Sequence, residues 1–290
     1  MEYSNPEIPE GINTSREHPL KELLLLVSAA VGIIFLVVAG LTFLAEYLAG
    51  YIPFSSEQKL AALYPVESRY ESAQQRQAGE RITTYLQQLA EQLARAEELP
   101  NEMRITLHYI DDDTVNAFAT LGGHVVFFRG LLEKIPDENT LAMVMAHEIA
   151  HIKFRHPIRS LGRGVIVASA LAVVSAAAGD NLSASVLQEA GLLTILHYNR
   201  RQESEADEVA IAALQTHYGH VAGATGLFRI FLKEEKEAQQ LPAFLSTHPL
   251  SEERIRRLQQ MASQNRWNTA DPRPLPAEFG NWLQAGRASL

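Results

Sequence analysis

The chain contains no cysteine, so no disulfide ties it together. That absence is compatible with either side of a membrane and does not fix the compartment. A basic patch is also missing. The formal net charge is −9, which argues against a nucleic-acid partner. No internal repeat and no nucleotide-binding loop occurs. Charge is missing altogether from Leu23–Ala45, an apolar run of 23 residues bounded by Lys21-Glu22 and Glu46. At about 1.5 Å per helical residue the run spans a bilayer core of ~30 Å. A cleaved signal peptide is the rival reading. The run is too long for an ordinary signal core, acids precede it, and no convincing cleavage site follows. The expectation is an uncleaved single-pass anchor that holds the chain in a lipid bilayer through Leu23–Ala45. Arg16 and Lys21 precede the run and Lys59 follows it. This weakly places the N-terminus in the cytoplasm and the rest on the periplasmic or equivalent side.

What the chain does have is His147-Glu148-Ile149-Ala150-His151. In a helix, two imidazoles four residues apart lie one turn from each other on the same face and can reach one metal ion. Glu148 then faces the open side of that metal, where zinc would make a water acidic and a carboxylate could take its proton. The plainer alternative is a solvated helix that happens to carry His, Glu and His. The flanks speak against it. Pro136-Asp137-Glu138-Asn139 supplies turn and N-cap chemistry, and Leu141, Val144, Met145, Ile149 and Ile152 follow helical spacing. Two His and one Glu inside such a helix are costly to bury unless paired or ligated.

A third protein ligand has three candidates. His156 is the nearest, but a metzincin would place that histidine ten residues after the first, following a glycine. Those positions hold Pro157 and Phe154. His156 reads better as the end of the helix, with Pro157 terminating it. Glu203 and Asp207 share a face of an amphipathic segment that continues through Val209, Ile211, Ala212 and Leu214. A ligating carboxylate with a supporting carboxylate beside it would complete a site of two His and one Glu. The alternative for that pair is an exposed acidic face. His248, in Ser246-Thr247-His248-Pro249, is the third candidate.

His147–His151 followed by Glu203-x-x-x-Asp207 resembles the gluzincin peptidases grouped with HtpX, BepA and the CAAX prenyl endopeptidase. Val115–Ala119 and Gly122–Leu132 resemble the strand pair ahead of that family's zinc helix. Ser246–Leu250 with Arg254 resembles the block near the end of its domain. The similarity covers roughly residues 66–262. Two features depart from it: Leu121 stands where members often carry proline, and this chain does not look multi-pass. The resemblance implies one Zn2+ per chain, held by His147, His151 and Glu203, with Glu148 as general base. Asp207 would orient a ligand imidazole. His248 would lie near the metal, either stabilising an oxyanion or closing the open position. Arg254 would point into the same site, with a solvated helix position as the alternative.

Met103–Ile110 alternates as a strand should, and Gly122-Gly123 leads into β-branched and aromatic residues at His124–Phe128. An edge strand beside a metal can bind an extended peptide by main-chain pairing. The resemblance gives this role to Gly123, His124, Val125, Val126 and Phe127; an ordinary core strand is the alternative. Gly164–Ala178 is a second apolar stretch of 15 residues, too short to span comfortably. It reads as a buried helix between the two zinc helices, with a membrane-dipping segment as the alternative. Residues 67–98 read as a helix with Ile82, Tyr85, Leu86, Leu89 and Leu93 in one stripe. Residues 222–237 read as another.

The expected organisation is a polar segment over 1–22, a transmembrane helix over 23–45 and a linker over 46–65. A mostly helical α+β zincin-type domain with a small sheet covers 66–262, and a proline-rich tail covers 263–290. Phe279 and Trp282 suggest that this tail docks. The function that follows is a membrane-anchored zinc endopeptidase acting on extended polypeptides. By resemblance these would be misfolded or unassembled membrane and envelope proteins. A non-proteolytic, chaperone-like zinc module is the alternative, which an intact Glu148 disfavours.

Overall fold

The computed structural model describes residues 19–63, 79–178, 198–235, 242–249, 251–269 and 271–287. The uncharged run lies within α1 (Pro19–Ala49), a helix of 31 residues. It is the one helix among the described residues long and apolar enough to cross a membrane, and the rest of the protein leaves its apolar window uncovered. A short α2 (Phe54–Ala62) follows. The expected helix over 67–98 is observed as α3 (Glu80–Ala96), with residues 67–78 of that expectation outside the described residues. Ile82, Leu86, Leu89 and Leu93 form its buried stripe.

Strands β1 (Thr106–Ile110), β2 (Ala117–Ala119) and β3 (His124–Phe128) form one sheet in the order β1-β3-β2. β1 runs parallel to β3, with Thr106 opposite His124; β2 runs antiparallel, with Phe118 opposite Val126. This overturns the expectation that Gly123–Phe127 forms an edge. β3 is the central strand, and its main chain is committed to neighbours on both sides. Its sequence reports that position: Val125, Val126 and Phe127 are consecutive and fully buried, the pattern of a strand covered on both faces. The β2–β3 connection is a 3-10 turn, Leu121–Gly123, with φ of 75° at Gly122 and 88° at Gly123. A side chain at Gly123 would also place its Cβ 2.1 Å from the Arg104 carbonyl oxygen, so glycine is required there.

After α4 (Arg129–Leu132), Asp137 caps α5 (Glu138–Lys153) by accepting from the Thr140 N–H at 2.7 Å. Every residue from Glu138 to Ile152 is buried, as expected of a helix covered all round. The chain then reverses at Arg155, whose φ is 61°, and α6 (His156–Ala178) begins. Pro157 thus opens a new helix, where its missing N–H costs nothing, rather than ending the old one. The expectation of a buried helix over Gly164–Ala178 is also corrected. This part of α6 runs beside α1, with Gly162 close against the Ala45 carbonyl, and Val165, Val167 and Val173 are exposed. Length and apolarity cannot tell a helix covered on all sides from one with an open face.

Asn199 and Gln202 make a reciprocal capping box at the start of α7 (Arg200–Tyr218), and Gly219 ends it with φ of 76°. α7 packs along α5. Tyr85 of α3 and Tyr218 of α7 both donate to the Glu138 carboxylate, at 2.9 and 3.0 Å, which locks three helices together. Then come α8 (Gly226–Glu235), α9 (Ala243–Thr247), α10 (Glu252–Gln264) and α11 (Phe279–Arg287). The tail docks as expected: Phe279 is buried, with its ring 5.8 Å from that of Tyr85. Glu57 of α2 is buried as well. It accepts from the Gly122 N–H at 3.1 Å and from Arg155 Nη2 at 2.6 Å, tying α2 to the turn before β3 and to the end of α5. The architecture is α+β, mostly helical with one small sheet.

Candidate active site

α5 and α7 face each other so that their polar positions meet in an otherwise apolar core. His147 and His151 lie one turn apart on α5 with Nε2 atoms 3.0 Å from each other. Each of these nitrogens is 3.4 Å from a carboxylate oxygen of Glu203 on α7. His248, just past the end of α9, brings its Nδ1 to 3.2 Å from His147 Nε2 and 3.1 Å from Glu203 Oε1. All four residues are buried, and their ligating atoms lie within 4.8 Å of one another.

The surrounding groups decide which nitrogen of each ring faces inward. His147 Nδ1 lies 3.0 Å from Asp207 Oδ1 without making a hydrogen bond among the described residues; a proton on Nδ1, facing that acceptor, would leave the Nε2 lone pair of the neutral ring toward the cluster. His151 Nδ1 meets His156 Nδ1 at 2.7 Å, and His156 Nε2 faces Glu205 at 3.5 Å. With the His156 proton toward Glu205, His156 Nδ1 accepts from His151, and His151 Nε2 also presents a lone pair inward. Two inward-facing imidazoles and a carboxylate in a buried space repel one another unless a cation, either a proton on His147 or a metal ion, joins them. Charge gives the same answer. Among the described residues, Glu203 and Asp207 pair with the guanidinium of Arg254, and Glu148 is buried in the same core. A divalent cation fits the residues present.

The titration behaviour reflects the same field. Burial alone would lower the His147 imidazole, but Glu203 and Asp207 outweigh it and raise it to about 10. Burial would raise the Glu203 carboxyl, yet His248 and His147 hold it well below the usual range. Burial dominates at His151, which is pushed well down, and at His156, which is pushed down to about 4. Burial also lifts the Glu148 carboxyl, against the positive fields of His248 and His147.

Glu148 is fixed on one side only. Its Oε2 accepts from the Ala119 N–H at 2.8 Å. Its Oε1 makes no hydrogen bond among the described residues and lies 3.3 Å from His248 Nε2. Arg254 donates to both oxygens of Asp207, at 2.7 and 2.8 Å, and reaches Glu203 Oε2 at 2.8 Å. Its guanidinium is stacked 4.8 Å over the Phe228 ring. Arg254 is therefore neither on a solvated face nor in the open centre; it acts on the centre through two carboxylates. Asp207 stands behind His147.

The edge beside this centre is β2. Ala119 turns its N–H to Glu148 and its carbonyl to the Tyr198 hydroxyl, 3.2 Å away. Alternation along an antiparallel pair makes Ala117 point its N–H and carbonyl the same way, outward from the sheet. Gly123, His124, Val125, Val126 and Phe127 lie one strand further in. Sequence reasoning set His156 aside and missed Tyr198. Tyr198 stacks on the His151 ring with centroids 3.8 Å apart. The available signal was its place directly before the cap of α7. His156 gave none, because its partner is a ring nitrogen rather than a metal.

Comparison with known proteins places this arrangement among the metallopeptidases. Residues 80–262 match Peptidase family M48, and the chain belongs to that family. It is 34% identical over 162 residues to the mitochondrial metalloendopeptidase OMA1 of Schizosaccharomyces pombe, covering 55% of this chain and 47% of that protein. It is 29% identical over 198 residues to the beta-barrel assembly-enhancing protease of Escherichia coli, covering 64% of this chain and 40% of that one. The chain thus spans less than half the length of these two curated relatives. A protease HtpX homolog of Aquifex aeolicus is 27% identical over 314 aligned residues, covering 87% of this chain and 92% of that protein.

Proposed function

We propose that the chain is a membrane-anchored, zinc-dependent endopeptidase that cuts extended segments of polypeptide, acting in quality control of misfolded membrane or envelope proteins. The observation that carries this reading is the pairing of a cation-seeking cluster with a carboxylate, Glu148, that is hydrogen-bonded at one oxygen and at the other is faced only by His248 Nε2, 3.3 Å away. His147, His151 and Glu203 would hold the ion. When bound, zinc supplies Lewis acidity to a substrate carbonyl and makes a water acidic near neutral pH. Glu148 takes the water proton on Oε1 and delivers it to the leaving amine, while the Ala119 N–H keeps the carboxylate aimed. Asp207 and His156 fix the two imidazoles, and Arg254 fixes Asp207.

The substrate would lie along the outer edge of β2. Val115 already gives its carbonyl to the Phe244 N–H of α9 at 3.0 Å, and Ala119 is engaged by Glu148 and Tyr198. Ala117 remains between them as the group to pair with an extended chain. α9 also carries the connection to His248, so one short helix covers the strand edge and brings an imidazole to the centre. Family membership and the names of the relatives support proteolysis. The apolar α1 supports anchoring, and the relatives named as a mitochondrial metalloendopeptidase and a beta-barrel assembly-enhancing protease support a quality-control setting.

The test is metal dependence. Purified full-length chain should hydrolyse an unfolded protein, lose that activity after chelation, and regain it with zinc. Activity indifferent to chelation would contradict the proposal.

A further inference from the structure

A cleft of about 610 Å³ lies outside the catalytic centre, between the end of α1, the first turns of α6 and the first turn of α7. Its position follows from the sequence. The uncharged run ends at Ala45, so with α1 in a bilayer Glu46 and Tyr51 stand at headgroup depth. Tyr47 and Tyr51 are exposed, share a hydroxyl contact of 2.7 Å, and set their rings 5.2 Å apart. Paired tyrosines at that depth match the aromatic girdle of membrane boundaries.

The charge of the lining is balanced. Arg159 and Arg201 face it together with Glu46 and Glu205. Arg201 already pairs with Glu205 at 2.8 Å, and Glu46, half-buried at the cleft, also lies 3.5 Å from Arg163 Nη1. Arg159 Nε is buried and makes no hydrogen bond among the described residues. Gly50 leaves that guanidinium its room, since a Cβ there would come within 3.2 Å of Arg159 Nη2. A simple anion would meet two carboxylates in this cleft, and a simple cation two guanidiniums. A group carrying both signs satisfies each: its phosphate accepts from Arg159, and its ammonium meets Glu46 and the tyrosine rings.

We propose that this cleft binds the headgroup of a zwitterionic glycerophospholipid of the phosphatidylethanolamine type. The cleft volume lies in the range of small-ligand sites. Its floor includes Asn199 and Gln202, the capping box that starts α7 immediately before Glu203. A bound headgroup therefore sits against the helix turn that supplies the carboxylate of the catalytic centre. The inference rests on the reading of α1 as a membrane span.

The experiment has two arms. Flotation of the full chain with liposomes tests the anchor. Native mass spectrometry of the detergent-purified chain then compares phosphatidylethanolamine, phosphatidylglycerol and soluble glycerophosphoethanolamine. The expected result is one retained phosphatidylethanolamine, favoured over phosphatidylglycerol by about tenfold, the scale of one charge-assisted contact. Arg159→Gln and Tyr51→Ala should each weaken retention, whereas Arg256→Gln, on the exposed face of α10, should not. Tyr51 is solvent-exposed, so that variant keeps the test valid if Arg159→Gln fails to fold. A chain that does not float overturns the anchor and the lipid site together. A chain that floats but retains both lipids equally, or ignores both cleft substitutions, overturns the site alone. Competition by soluble glycerophosphoethanolamine as strong as by the lipid overturns the lipid assignment.

Discussion

Arg254 grips Asp207 through two parallel N–H···O bonds, 2.7 and 2.8 Å long, across 47 residues of sequence. Asp207 in turn stands 3.0 Å from His147 Nδ1. On the proposed reading, this guanidinium–carboxylate–imidazole chain would aim the His147 nitrogen that faces the metal, with groups that do not touch the metal themselves. Arg254→Gln should therefore weaken metal affinity by about 10–100-fold, the usual cost of losing such support. Competition against a fluorescent chelator measures it. Unchanged affinity would show that His147 is aimed by packing alone.

His248 sits inside the cluster, with Nδ1 3.2 Å from His147 Nε2 and Nε2 3.3 Å from Glu148 Oε1. If it closes the centre at rest, the working fraction of the protein is small, and removing the imidazole enlarges it. His248→Ala should raise the initial rate on an unfolded substrate by about tenfold if the closed form outweighs the open one tenfold. A fall in rate would instead assign His248 to stabilising the oxyanion.

Glu97 is buried with neither carboxyl oxygen hydrogen-bonded among the described residues, and burial holds its carboxyl well above the usual range despite Lys153 and His147. The folded state therefore binds the Glu97 proton more tightly than the unfolded chain does. The resulting stability is full below the ordinary carboxylate range and is lost as pH rises through the folded pKa. Glu97→Gln should raise stability at neutral pH, because Gln carries no carboxyl that must hold a proton or bury a charge there, with little effect near pH 4. Denaturant midpoints at the two pH values give the answer. Equal midpoints at neutral pH would mean that Glu97 keeps its charge cheaply.

The divide between what the sequence discloses and what it hides follows from the range of each interaction. His147, Glu148 and His151 are legible because one helix carries them, and Glu203 with Asp207 because four-residue spacing fixes a shared face. The α+β class is legible for the same local reasons. The order β1-β3-β2 is not, since strand alternation reports burial but not which neighbour pairs where. His156 and Tyr198 support His151 only after the chain has reversed at Arg155 and returned at Asn199. Arg254 reads as one of several charges on an amphipathic helix until Asp207 is seen beside it. The exposure of α6 depends on what lies outside the protein, which residue apolarity alone does not encode.

The most direct test is Glu148→Gln in the full-length, zinc-loaded protein acting on an unfolded polypeptide. Gln keeps the size of the side chain and can still face the Ala119 N–H, but it cannot take up a proton. Wild type should cleave. The variant should bind zinc equally well and cleave about 10²–10⁴-fold more slowly, the usual worth of a placed general base. Equal cleavage by both, or no cleavage by wild type of any unfolded substrate, would contradict the peptidase reading.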